Sequence, residues 1–193
     1  MKLVCMGDSL TYGYAIFRKD CWVHLLENEL NIEIINVGIN GDTTAGMLSR
    51  SYEDIVQNTP THVIIMGGTN DFISNRPLHL VEENIKQLVN EAIENKIVPI
   101  IGIEPPIDRI LAERKWTDAV DYDKINLILC EYRKWIINFS DKKNINYIDF
   151  HNKFIEELKD KDPRELYVDG LHPTPYGHEL MAKCVINLFK KVL

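Results

Sequence analysis

Short apolar runs that end in glycine-led polar turns constrain this chain more than any other feature. Leu3-Val4-Cys5-Met6 runs into Gly7-Asp8-Ser9, and His62-Val63-Ile64-Ile65-Met66 runs into Gly67-Gly68-Thr69-Asn70. Such runs are too short for helices, and their unbroken apolar character predicts strands covered on both faces. Glu33-Ile34-Ile35-Asn36-Val37, stopped by Gly38, reads as another strand, as do residues 97–103, with Pro99 near the start, and Asn146-Tyr147-Ile148-Asp149. Segments at helical spacing separate them. Residues 20–30 carry Trp22, Leu25, Leu26 and Leu30 behind Asp20 as a cap, and the next helix bears Met47, Leu48 and Ile55 before Thr59-Pro60 breaks it. Residues 78–95 place Val81, Ile85, Leu88, Val89 and Ala92 on one face. A long helix holds Ile125, Ile128, Leu129, Tyr132, Ile136 and Phe139, and a short one spans 152–158. The closing helix turns Leu180, Met181, Cys184, Val185, Leu188 and Phe189 inward. Strands alternating with helices predict an α/β protein with a parallel sheet between two helical layers. Residues 104–118, opened by Pro105-Pro106 and carrying Trp116, read as the longest irregular piece and as a substrate-facing segment. With no repeat, linker or low-complexity stretch, residues 1–193 are expected to form a single domain.

Charge and composition narrow the function classes. A net charge of -7, from 22 basic and 29 acidic residues, argues against nucleic acid as a partner. Lys142-Lys143 and Lys190-Lys191 fall at predicted helix ends, where they suit the helix dipole. No run approaches a membrane span and no secretory leader pattern opens the chain, so a cytoplasmic location is expected. The four cysteines form no Cys-x-x-Cys pair. Cys5, Cys130 and Cys184 lie in apolar segments, which predicts buried free thiols rather than disulfides or a metal site. Neither metal nor cofactor is expected, and the oligomeric state is left open.

The polar loops carry the chemistry. Those holding Ser9, Gly41 and Asn70 follow the first three strands, and a later loop holds Asp169-Gly170-Leu171-His172-Pro173. In an open parallel sheet all of these reach the C-terminal edge of the strands, where ligands bind. Acyl transfer from an ester needs a nucleophile, a base, an orienter for the base and donors to the oxyanion. Ser9 offers the hydroxyl and His172 the base, while Asp169, three residues earlier, can reach the imidazole Nδ1. The backbone N–H groups of Ser9 and Gly41 and the carboxamide of Asn70 are the candidate oxyanion donors. Each loop also has a purely structural reading. Asp8 or Ser9 also reads as a helix cap, as does Asn70-Asp71; Gly41-Asp42-Thr43-Thr44 reads as a turn and cap, and Asp169-Gly170 with Pro173 as a turn capping the last helix. Tyr12, Tyr14 and Phe72 read either as walls of the site or as core. His24, His62, His79, His151 and His178 have no comparable partner spacing and read as surface or structural residues.

These blocks resemble the GDSL family of the SGNH-hydrolase superfamily. Its four signature residues correspond to Ser9 in Gly7-Asp8-Ser9-Leu10, Gly41 in Asn40-Gly41-Asp42, Asn70 in Gly68-Thr69-Asn70-Asp71 and His172 in Asp169-Gly170-Leu171-His172-Pro173, in family order across almost the whole chain. The resemblance implies a three-layer α/β/α flavodoxin-like SGNH-hydrolase fold with a five-stranded parallel sheet, and metal-free serine-esterase chemistry. It points to bacterial esterase, lysophospholipase and thioesterase members and to carbohydrate acetylesterases. The expected substrate is therefore a small acyl or acetyl ester, with acetylated sugars, lysophospholipids and acyl-CoA thioesters as alternatives. Position 11 is Thr11, so there is no Gly-x-Ser-x-Gly elbow of the α/β-hydrolases. Two other readings compete. A flavodoxin-like module would cradle phosphate or flavin on residues 7–13, although neither Gly-x-x-x-x-Gly-Lys-Ser/Thr nor Gly-x-Gly-x-x-Gly occurs. A carbohydrate- or lipid-interacting protein would keep the site only as a vestige.

Overall fold

The computed structural model describes residues 1–192 and contains one parallel sheet. Its strands are β1 (Lys2–Gly7), β2 (Glu33–Gly38), β3 (His62–Met66), β4 (Val98–Ile103) and β5 (Asn146–Asp149), in the order β2-β1-β3-β4-β5. That is the flavodoxin-like order, in which the chain reverses its direction of winding between β1 and β3. Successive side chains of a strand point to opposite faces, and the core divides accordingly. Val4, Met6, Val63, Ile65 and Ile101 pack on one side with α5 (Leu78–Glu94) and α7 (Tyr122–Lys143), through Val81, Ile85, Leu88, Leu129 and Ile136. Leu3, Cys5, Ile64, Met66 and Ile100 pack on the other with α2 (Trp22–Leu30), α8 (Phe150–Glu157) and α10 (Pro175–Val192), through Trp22, Leu26, Phe154, Met181 and Val185. Continuous apolar strands are thus explained by two helical layers. Pro99 is tolerated as the second residue of β4, because β5 pairs with that strand only from Ile100 onward.

Several details differ from the sequence expectations. Asp20 lies in a 3-10 turn and does not cap α2. The cap position is Cys21, whose side chain makes no capping bond, and His178 Nδ1 accepts the Trp22 N–H at 3.2 Å instead. After α3 (Thr44–Ser51) the chain widens into a π-helical turn, Tyr52–Val56, which still buries Ile55. The 104–118 segment is not wholly irregular: Asp108 caps a helix, α6 (Arg109–Lys115), which buries Leu111 and Ala112. Short helices α1 (Ser9–Tyr12), α4 (Thr69–Ile73) and α9 (Pro163–Leu166) also go beyond the sequence reading. All four cysteines are free; Cys5 and Cys21 are buried and Cys184 partly so, but Cys130 is exposed. No helix among the described residues is long and apolar enough to cross a membrane.

Candidate active site

Ser9 and Asn70 follow β1 and β3, the two strands that flank the winding reversal. Asp8 caps α1 by accepting the Leu10 N–H at 2.9 Å, which places Ser9 as the first helical residue at the strand edge. Capping and catalytic readings of this turn are therefore compatible, with Asp8 taking the first and Ser9 available for the second. Ser9 Oγ lies 3.0 Å from His172 Nε2, although 163 positions separate the two residues.

The 166–174 loop presents the imidazole. Asp169 Oδ1 accepts the N–H groups of Leu171 and His172 at 3.0 and 2.8 Å, and Oδ2 lies 2.7 Å from His172 Nδ1. Burial pushes the Asp169 carboxyl up, but the bonds and charge of His172 and the Leu171 N–H outweigh it and hold the group below its ordinary value. With Nδ1 donating to that carboxylate, Nε2 is left to accept from Ser9. Gly170 is required by close approach: at φ +94° its Cβ would stand 2.5 Å from Asp108 O and from Ala112 N. Thr174, not Asp169, caps the last helix, accepting the Gly177 N–H at 3.2 Å.

The oxyanion candidates converge with unequal readiness. Among the described residues no acceptor is found for the Ser9 or the Gly41 N–H. Gly41 has φ +75° and open space where a Cβ would stand. Its loop is clamped by Arg50, which donates to Asp42 Oδ2 at 2.8 Å, to Val37 O at 2.8 Å and to Gly7 O at 3.2 Å. Thr43 caps α3. Asn70 Nδ2 instead donates at 2.9 Å to both Asp42 O and Asp8 Oδ2. Neither Asn70 nor Asp71 caps α4; its cap position is Gly68, and Glu104 accepts the Thr69 N–H at 2.7 Å. Asp71 is fully buried and accepts the Thr44 N–H at 2.8 Å and the Thr44 hydroxyl at 3.0 Å.

Beside Ser9 lies a cavity of about 20 Å³, walled on its apolar side by Pro105, Ile107, Trp116 and Leu171. A much larger surface groove of about 710 Å³, lined by Leu25, Ile186 and Lys190, contains none of the site residues. Tyr14 and Trp116 pack against the His172 ring at centroid distances of 4.5 and 6.0 Å. Phe72, by contrast, is a core residue, buried edge-on against Tyr132, and Tyr12 is exposed. Among the other histidines His178 and His151 are buried, and His24 pairs with Glu27. The sequence reading places Glu104 at the start of the 104–118 segment but gives its carboxylate no role of its own. Its signal was a lone carboxylate closing an otherwise apolar strand.

The fold order, the strand-edge serine and the late histidine loop define a class, and the comparisons agree with it. Residues 5–180 match the GDSL-like lipase/acylhydrolase family, and the chain belongs to that family. It is a carboxylic ester hydrolase with the SGNH-hydrolase fold. It is 26% identical to an acetylxylan esterase of Geobacillus stearothermophilus over 96% of this chain and 92% of that protein. Identity to an arylesterase of Vibrio mimicus is 28%, over 100% and 90% of the two chains. A lipolytic protein of the G-D-S-L family from Veillonella parvula DSM 2008 superposes with a TM-score of 0.84, at 26% identity and 98% coverage of both chains.

Proposed function

We propose that residues 1–193 act as a single-domain serine esterase that removes acetyl or other short acyl groups, with Ser9, His172 and Asp169 as the catalytic triad. The observation that carries this reading is the relay of 3.0 Å from Ser9 Oγ to His172 Nε2 and 2.7 Å from His172 Nδ1 to Asp169 Oδ2. Ser9 Oγ attacks the ester carbonyl as Nε2 takes its proton, and Asp169 holds the ring and the charge it acquires. The oxyanion forms against the N–H groups of Ser9 and Gly41 and the Asn70 amide. Collapse expels the alcohol, which leaves with the proton from Nε2, and the acyl group stays on Ser9. Water, deprotonated by His172, then releases the acid. A phosphate cradle on residues 7–13 would leave the His172 contact and its Asp169 bond without a purpose.

The size of the cavity supports a small acyl group. About 20 Å³ holds roughly one water and suits a methyl group, not an extended chain. Tyr14 and Trp116 offer aromatic faces beside the reacting centre, a surface suited to a sugar or aryl alcohol. Ser9→Ala is expected to lower turnover at least about a thousandfold with the fold intact, and a fluorophosphonate should label the wild type at Ser9 alone. Turnover by Ser9→Ala near the wild-type rate would refute the triad. Acyl specificity is read from a chain-length series of p-nitrophenyl esters run beside acetylated xylooligosaccharides and acyl-CoA. Rates rising with chain length would refute the short-acyl assignment in favour of a lysophospholipase or thioesterase.

A further inference from the structure

The Asn70 carboxamide has two hydrogens on its nitrogen, and both are already given away. One goes to Asp42 O and the other to Asp8 Oδ2, each at 2.9 Å. An oxyanion can be served only by a hydrogen that one of these acceptors releases. Asp42 O is a peptide carbonyl of constant strength. Asp8 is not constant: an ionised carboxylate grips a donor about twice as strongly as a neutral acceptor does.

Asp8 is buried against a second carboxyl. Asp8 ends the turn after β1 and Glu104 follows β4; they are 1% and 2% exposed, and their carboxyl groups lie close enough for each to feel the other. Glu104 Oε2 accepts from the Thr69 N–H and the Thr69 hydroxyl, both at 2.7 Å. Glu104 Oε1 is buried and finds no donor among the described residues. Two carboxylates this close and out of water cannot both be ionised, and one proton between them supplies the donor that Oε1 lacks. The stronger donors sit on Glu104, which leaves the proton to Asp8. Burial first, and then the Glu104 charge, hold the Asp8 carboxyl well above the usual carboxylate range.

We propose that Asp8 and Glu104 share one proton, carried by Asp8, and that this proton lets Asn70 turn an N–H toward the oxyanion. Both are positioning residues acting through Asn70, and the inference rests on the esterase reading above. The surroundings favour retention of the proton. Asp42 and Asp71 add negative charge, although Arg50 and Arg76 pair with them. Tyr132, kept neutral by burial, donates to Gly67 O, and His151, whose basicity burial lowers, lies against the Glu104 backbone. Arg50, donating to Gly7 O, is the cation on the Asp8 side, and His172 stands across Ser9. As pH rises the pair loses its proton, Asp8 ionises and holds Asn70, and kcat falls.

The test measures kcat and KM against pH with p-nitrophenyl acetate for the wild type, Asp8→Asn, Glu104→Gln, Asn70→Ala and Asn70→Ala combined with Glu104→Gln. The wild type should show an alkaline fall in kcat. Asp8→Asn, which gives Glu104 a permanent N–H and cannot ionise, should abolish that fall. Glu104→Gln donates to Asp8 and stabilises its carboxylate. It should lower kcat about a hundredfold with little change in KM, the loss expected for one oxyanion donor. Adding it to Asn70→Ala should cost nothing further. Independently of activity, the infrared spectrum at neutral pH should contain a neutral carboxylic acid carbonyl band that Asp8→Asn removes. An alkaline fall retained in Asp8→Asn, no such band, or additive losses for Glu104→Gln and Asn70→Ala would each overturn the shared proton. Failure of the esterase reading is recognised separately, by full turnover in Ser9→Ala.

Discussion

His178 should make this protein acid-labile by an amount that can be worked out in advance. The imidazole is fully buried; its Nδ1 accepts the Trp22 N–H at 3.2 Å, so the ring proton must sit on Nε2, which is buried and finds no partner among the described residues. Burial, and secondarily the charge of His172, lower its pKa to about 3, against 6.5 for an unconstrained histidine. The unfolded chain therefore binds a proton that the folded one refuses between these values, so the stability is present above the unfolded pKa and is lost as pH falls below it. At about 1.36 kcal/mol per unit, a drop to about pH 4.5 costs about 2.7 kcal/mol, and the full gap costs about 5 kcal/mol. Against a total of about 5–15 kcal/mol, that is a large share. Urea unfolding of the wild type and of His178→Asn, which keeps an acceptor for Trp22 but does not titrate, isolates the contribution. The variant should be less stable at neutral pH, from lost packing, and the difference should shrink by about 2.7 kcal/mol at about pH 4.5. A difference that stays constant with pH would refute the reasoning. The consequence reaches the Ser9 turn, because Trp22 Nε1 donates to Leu10 O at 2.9 Å, one residue beyond Ser9.

Asp169→Asn should lower kcat by about ten-thousandfold with little effect on KM, measured by steady-state hydrolysis of p-nitrophenyl acetate, because His172 loses its orienting carboxylate. Asn126 grips Ile107 through both backbone groups, at 2.9 and 2.8 Å. Asn126→Ala should loosen that cavity wall and raise the butyrate-to-acetate ratio of kcat/KM about tenfold, as two lost bonds would allow. A maleimide should label exposed Cys130 in the native protein while Cys5 and Cys21 stay unmodified until urea is added, followed by intact mass.

What the sequence discloses and what it hides divide along sequence distance. Strand-end loops, helix stripes and the Asp169–His172 spacing are local patterns, and each falls in the structure where those patterns place it. The misplaced caps occur where a distant residue supplies what a local one was expected to give; the other misses are local. Asp20 looks like a cap for α2, but the bond to Trp22 comes from His178, 156 positions away. Asn70-Asp71 looks like a cap for α4, but Glu104, 35 positions on, accepts the Thr69 N–H. Cys130 follows Leu129 by one residue, so it is rotated about 100° from the buried stripe of α7 and faces out despite its apolar neighbours. In α6 only Leu111 and Ala112 are buried, too little periodicity for a helix to stand out between two prolines and a tryptophan.

The 104–118 segment shows why such long-range ties matter for specificity. A wall of prolines and loop backbone would ordinarily yield to a longer acyl chain. Here Asn126 holds Ile107, the Tyr167 hydroxyl donates to Pro106 O at 2.6 Å, the Asp108 N–H donates to Gly170 O at 2.9 Å, and Lys115 donates to Val168 O at 2.8 Å. Moving the wall would break about five hydrogen bonds at roughly 1 kcal/mol each, more than one added methylene, worth about 0.8 kcal/mol, can return. Three of those ties end on the 166–174 loop that carries Asp169 and His172, so an acyl chain forcing the wall outward would also pull His172 from Ser9. On the proposed esterase reading, selectivity for a small acyl group and the alignment of Ser9 with His172 would follow from the same bonds.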